Sequence, residues 1–220
     1  SANSQNFLGL CYFEQSKYDK AEECYKNSLS NQYNEAALNN LGLLYIKQKR
    51  LVEALKVFNE AYEKNTKAIQ ILTNLSLCHE LLGEISKSYA FRKRILEIDE
   101  FNEEALTRLH TMRNATDDDL LFCLQKLEQL LIKSPDSILL LENLSSILMK
   151  LHNHELATRL SFRLLDIEPM NSSRYYNISN MLKAQRKFDD AKRYLRTAIK
   201  LEPDEASYWL NLGVIEVELG

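Results

Sequence analysis

The side chains able to do chemistry are few and scattered. His152 and His154 stand two residues apart beside a turn, whereas two metal ligands on one helical face need a spacing of three or four, so they do not form a ligand pair. The acid pairs Glu22-Glu23 and Asp189-Asp190 are adjacent on helical stretches, where neighbouring residues point apart and cannot act on one substrate bond. Cys11, Cys24, Cys78 and Cys123 have neither C-x-x-C spacing nor the density of a disulfide scaffold, which suits a reducing, cytoplasmic setting. No glycine-rich phosphate loop and no recognisable nucleophile context occurs. From these residues we expect no catalysis, no metal and no cofactor.

The elements that carry these side chains are helical. Of 220 residues only 5 are Gly and 3 are Pro, while 45% are apolar and 27% charged, a balance that excludes disordered and low-complexity classes and leaves too few turn-formers for an all-β fold. The net charge of −3 offers no positive excess for a phosphate backbone, so nucleic acid is not an expected partner. The stretch from Ile138 to Leu151 is broken by Glu142, Asn143 and Lys150 and falls short of the roughly 18 apolar residues that a membrane span needs. No signal peptide is read at the Ser1-Ala2-Asn3 start. Asn74, Asn114, Asn143, Asn171 and Asn177 begin N-x-S/T strings, three of which recur at one place of the repeat described next.

Pro135, Pro169 and Pro203 are spaced by 34 residues. A Leu or Ile followed by a small residue recurs at Leu8-Gly9, Leu41-Gly42, Leu75-Ser76, Leu144-Ser145, Ile178-Ser179 and Leu212-Gly213, with Leu109-His110 as a poor member, at offsets of 33 to 35. Twelve residues after the small residue stands Ala21, Ala54, Ala157 or Ala191, and four further on a bulky residue at Tyr25, Phe58 and Leu195. Small residues at two places of a helix pair permit close approach, and the bulky ones fill the space between pairs.

This pattern resembles the tetratricopeptide repeat along essentially the whole chain. Trp209-Leu210-Asn211-Leu212-Gly213 and Leu38 to Tyr45 are close to the family's first-helix signature, and Ala191, Leu195, Ala198 and Pro203 to its second. The resemblance implies an all-α solenoid, a right-handed superhelix of antiparallel helix pairs, arranged as a single array. Its repeats are expected at 2–34, 35–68, 69–102, 103–137, 138–171 and 172–205, with the first helix of a seventh at 206–220. Gly83-Glu84, Asn153-His154 and Arg186-Lys187 mark turns inside units, and the prolines end second helices. The unit at 103–137 is irregular, with His110 and Arg113 in place of a small and an aromatic residue. Thr116 followed by three Asp reads as an N-cap, so its second helix starts early and runs long. The basic clusters at Lys47/Lys49/Arg50, Arg92/Lys93/Arg94 and Lys192/Arg193/Arg196 read as solvated faces.

In the family that the chain resembles, first helices line a concave groove, so partner residues are sought there. The residue before the signature Leu is Asn40, Asn74, Arg108, Asn143, Asn177 and Asn211 in successive units, with Phe7 in the first. A row of amides can hold an extended peptide through its backbone, and a similar asparagine ladder serves the repeat domain of O-linked N-acetylglucosamine transferase. Leu10, Leu43 and Leu77 make the early groove apolar, whereas Ser146, Asn180 and Val214, with Lys183 and Tyr176 nearby, make the late groove more polar. Asn6, Leu10, Asn40, Gln70 and Asn74, the places of a carboxylate clamp in chaperone-tail binders, include no cation. The expected function is a non-enzymatic scaffold that binds an extended or amphipathic peptide of a protein partner in this groove. The alternative is an accessory domain of a larger enzyme of glycosyltransferase or sulfotransferase type. Trp209, Leu212 and Val217, without a covering helix, suggest a fragment of a longer protein or self-association through the last helix.

Overall fold

A computed structural model describes residues 1–30 and 32–220. Among them are thirteen α-helices and no strand. In chain order they are α1 (Ala2–Glu14), α2 (Tyr18–Leu29), α3 (Glu35–Lys47), α4 (Leu51–Lys64), α5 (Ile69–Leu81), α6 (Ile85–Ile98), α7 (Glu103–Thr111), α8 (Asp117–Lys133), α9 (Ile138–Lys150), α10 (His154–Ile167), α11 (Ser172–Ala184), α12 (Phe188–Leu201) and α13 (Ala206–Leu219). The chain divides into two compact units, residues 1–115 with α1 to α7 and residues 116–220 with α8 to α13. The division falls inside the irregular unit expected at 103–137.

Helix ends explain the period. Between the two helices of a repeat one residue takes the left-handed conformation, at Ser16, Lys49, Gly83, His152 and Arg186, and only one of these five is glycine. There the chain reverses in the bonding pattern of a helix C-terminus closed by a left-handed residue: Lys17, Arg50, Glu84, Asn153 and Lys187 each donate a backbone N–H to the carbonyl five residues earlier. The irregular unit lacks this device. Its α7 has nine residues and ends at Met112 in extended conformation. A new start follows at once, because Thr116 accepts from the Asp119 N–H while the Asp119 carboxylate accepts from the Thr116 N–H, and the resulting α8 runs for seventeen residues. The helices before Pro135, Pro169 and Pro203 each end two residues ahead of the proline.

Outside the irregular unit the helix pairs are of two kinds. In the first kind a glycine makes room for a ring: a Cβ on Gly9 would lie 2.6 Å from the Tyr25 ring, and one on Gly42 would lie 2.3 Å from the Phe58 ring. In the second kind a serine at the same place bonds the partner helix instead. Ser76 Oγ donates to the Ser88 carbonyl at 3.1 Å, Ser145 to that of Ala157 at 3.3 Å and Ser179 to that of Ala191 at 2.8 Å. With the serine hydroxyl occupying that space, the position sixteen residues on is no longer aromatic: it is Arg92, Ser161 or Leu195. Arg92 is therefore no part of a solvated face. It is 3% exposed and its guanidinium reaches back to Glu80 at 2.6 Å, which corrects the reading of the cluster that contains it.

Candidate peptide-binding face

The first helices α1, α3 and α5 neighbour one another directly in the first unit, so their outward residues form one face. Two side-chain bonds link them. Asn40 donates its amide to Asn6 at 3.0 Å, and Asn74 donates to Asn39 at 2.7 Å. In the second unit Asn211 repeats the arrangement, donating to the Tyr176 hydroxyl at 2.8 Å and accepting from Lys183 at 2.8 Å. In these three repeats the ladder asparagine bonds the residue one place earlier in the pattern of the preceding repeat. These amides hold first helices side by side.

Burial sorts the ladder further. Asn74 is 3% exposed and Asn143 is 8% exposed, whereas Asn40 and Asn211 are half-buried and Arg108 is exposed on α7. Asn177 departs from the other ladder asparagines, since it is exposed and its side chain makes no hydrogen bond with another described residue. Glu142, which stands one place earlier in the pattern of the preceding repeat, instead pairs through one oxygen with Arg174 at 2.6 Å, and Arg174 also grips Glu168 with its Nε at 2.8 Å. Burial works against the charge of Arg174, but its bonds to Glu168 and Glu142 outweigh this and raise its pKa above the ordinary arginine value. Leu10 is exposed, and Leu43 and Leu77 are half-buried, with Leu43 packed on the core of its unit. Tyr176 stacks obliquely on Tyr208 with ring centroids 4.9 Å apart, so it is committed both by its ring and by its hydroxyl.

Beside Asn177 lies a cavity of about 260 Å³ between α9, α10 and α11. It exists because Ser161 occupies the place that Tyr25, Phe58 and Leu195 fill in other repeats. Sequence reading passed over Ser161, although the missing bulky residue twelve plus four places after Ser145 is itself the signal.

No group of three His, Cys, Asp or Glu side chains gathers in a way that would hold a metal among the described residues. Cys78 and Cys123 are buried, and burial pushes their thiols up to about 11 and about 12, which keeps both protonated and unreactive at neutral pH. His152 and His154 lie edge to face with ring centroids 6.1 Å apart. No described helix is long and apolar enough to cross a membrane.

Two family models, both described as Tetratricopeptide repeat, match residues 1–67 and 176–220, together just over half of the chain. The chain belongs to the tetratricopeptide repeat family. Its relatives include human Protein O-mannosyl-transferase TMTC1, 25% identical over 95% of this chain and 20% of that protein. Another is the bovine BBSome complex member BBS4, 22% identical over 94% of this chain and 40% of that protein. The chain thus spans well under half the length of these two relatives. Among solved structures, the C-terminal part of a tetratricopeptide repeat protein from Cytophaga hutchinsonii has a TM-score of 0.75 at 13% identity, covering 96% of this chain and 88% of that one. YrrB, described as a tetratricopeptide repeat protein with an unusual peptide-binding site, has a TM-score of 0.71 at 14% identity, covering 86% and 98%. These likenesses establish the tetratricopeptide α-solenoid fold.

Proposed function

We propose that this chain is a non-enzymatic scaffold that binds an extended peptide segment of a partner protein across its first helices, in a cytoplasmic setting. The observation that carries the reading is Asn177, an exposed ladder amide with both its donor and its acceptor unspent. Exposed Leu10 beside half-buried Leu43 and Leu77 supplies an apolar strip for side chains of the same class of ligand in the first unit. The family membership and the name of YrrB agree with peptide recognition. The four free cysteines agree with a reducing compartment.

Peptides selected from a random library against the chain supply the test. Those seated on this face lose about tenfold in affinity on Asn177→Ala, equal to the loss of one or two hydrogen bonds, and keep it on Arg193→Ala on the exposed surface of α12. Equal affinity for the Asn177 variant and loss on the Arg193 variant would place binding on the second helices.

A second reading is favoured by the likeness to an O-mannosyl-transferase: the chain serves as the accessory domain of a larger enzyme and presents acceptor polypeptide to it. Transfer activity in the full-length protein that vanishes when residues 1–220 are deleted, while short acceptor peptides still react, would support it. Unchanged activity on protein acceptors would sink it.

A further inference from the structure

The cavity between α9, α10 and α11 has a floor and a mouth of different chemistry. Leu164 and Met181 contribute apolar surface, and the two serines beneath them are already committed, Ser145 to the Ala157 carbonyl and Ser161 to the Met181 sulfur at 3.2 Å. At the mouth stand Glu142, Ser146 and Asn177, all exposed. Neither the Ser146 hydroxyl nor the Asn177 amide bonds another described residue. Arg174 also lines the cavity, and its single guanidinium serves two carboxylates, Glu142 and Glu168, binding Glu142 through one oxygen only.

Size, shape and charge select one kind of occupant. Apolar cavities of about 150 Å³ hold a benzene molecule, so 260 Å³ has room for a long side chain with an apolar stem. An arginine fork seeks two oxygens of one carboxylate, but one oxygen of Glu142 is already taken by Arg174. An ammonium group carries three donors that turn freely, and Glu142, Ser146 and Asn177 offer it three separate acceptors. From this geometry we infer that the cavity receives a lysine side chain of a bound peptide, its stem on Leu164 and Met181 and its ammonium at Glu142, Ser146 and Asn177. The inference rests on the peptide-binding reading and gives it a side-chain preference in the second unit.

The chain itself supplies the variant that closes the cavity. In the next repeat Ser179 coexists with a fully buried Leu195, so Ser161→Leu beside Ser145 copies a pair that the fold already accommodates. A phenylalanine there would not serve, because the ring needs glycine opposite it, as at Gly42 and Phe58.

The experiment titrates the full chain with the pentapeptide acetyl-Gly-Gly-Lys-Gly-Gly-amide and with its norleucine counterpart, following the Asn177 side-chain amide in 1H–15N spectra. The expected result is a saturable shift with the lysine peptide, at least tenfold weaker with norleucine, and weakened by salt because the contact is ionic. Ser161→Leu abolishes the shift while its thermal midpoint equals or exceeds that of the parent, and Glu142→Gln abolishes it without filling the cavity. Equal response to norleucine, no saturable shift, or an unaltered response in Glu142→Gln overturns the inference. If library-selected peptides still lose affinity on Asn177→Ala while the lysine pentapeptide gives no shift, the lysine cavity falls and the peptide-binding face stands.

Discussion

Two asparagines that occupy the same place in the repeat have opposite duties. Asn74 is buried and bonded to Asn39, so Asn74→Ala removes a bond and leaves the Asn39 oxygen without its partner, a loss of about 1 to 2 kcal/mol in unfolding free energy. The Asn177 side chain is exposed and unbonded, so Asn177→Ala leaves the unfolding free energy within about 0.5 kcal/mol of the parent and acts on binding alone. Urea titration of both variants checks the contrast, and equal losses would show that the ladder is uniform. Gly42 gives a sharper test, since Gly42→Ala drives a methyl group into the Phe58 ring and costs about 1 to 3 kcal/mol. A Gly42 variant as stable as the parent would mean that the Gly-aromatic pair is not what sets the approach of α3 and α4.

The joint between consecutive helix pairs is partly ionic. Glu22 on α2 accepts from the Tyr45 hydroxyl on α3 at 2.9 Å and pairs with Arg50 and Lys26, both at 2.7 Å. Burial alone would raise the pKa of Glu22, but its bonds to Arg50, Lys26 and Tyr45 prevail and lower it from 4.5 to about 2. A depressed carboxylate stabilises the fold fully above its unfolded pKa and loses that contribution as the pH falls towards the folded value. Between about pH 5 and pH 2 the first unit therefore loses roughly 3 kcal/mol through this group, and Glu22→Gln removes most of that slope. Acid titrations of the parent and the Glu22 variant, read by circular dichroism, check it; parallel curves would remove Glu22 from the account.

At this scale the sequence was informative about boundaries and silent about partners. The turns at Gly83, Asn153 and Arg186, the ends before the three prolines and the cap at Thr116 were legible because each depends on local backbone chemistry. The bonds of Asn40, Asn74 and Asn211 were not, because the acceptor lies 34 or 35 residues away and only packing decides which amide reaches it. Arg92 was misread as a surface cation for the same reason: its place in the pattern is interior, but its residue type is that of a surface. Ser161 was overlooked because a missing side chain leaves no residue to notice.

The molecule is two compact units joined where the repeat fails, between Ala115 and Thr116. Short α7 ends without the left-handed turn that closes other first helices, and α8 starts again from its own capping box. In a repeat protein stability is summed over neighbours, so a fault in the series separates cooperative blocks. We expect hydrogen exchange to resolve two sets of opening energies, divided at residues 115 and 116, and Thr116→Ala to lower those of the second unit by about 1 kcal/mol. A single opening energy throughout the chain would show that it behaves as one cooperative array. The central claim, that first helices carry the partner, is tested most directly by mapping backbone amide shifts of the full chain with one library-selected peptide bound. The account predicts perturbations confined to first helices and centred on Asn177 in α11; perturbations centred on α10 and α12, with α9 and α11 silent, would contradict it.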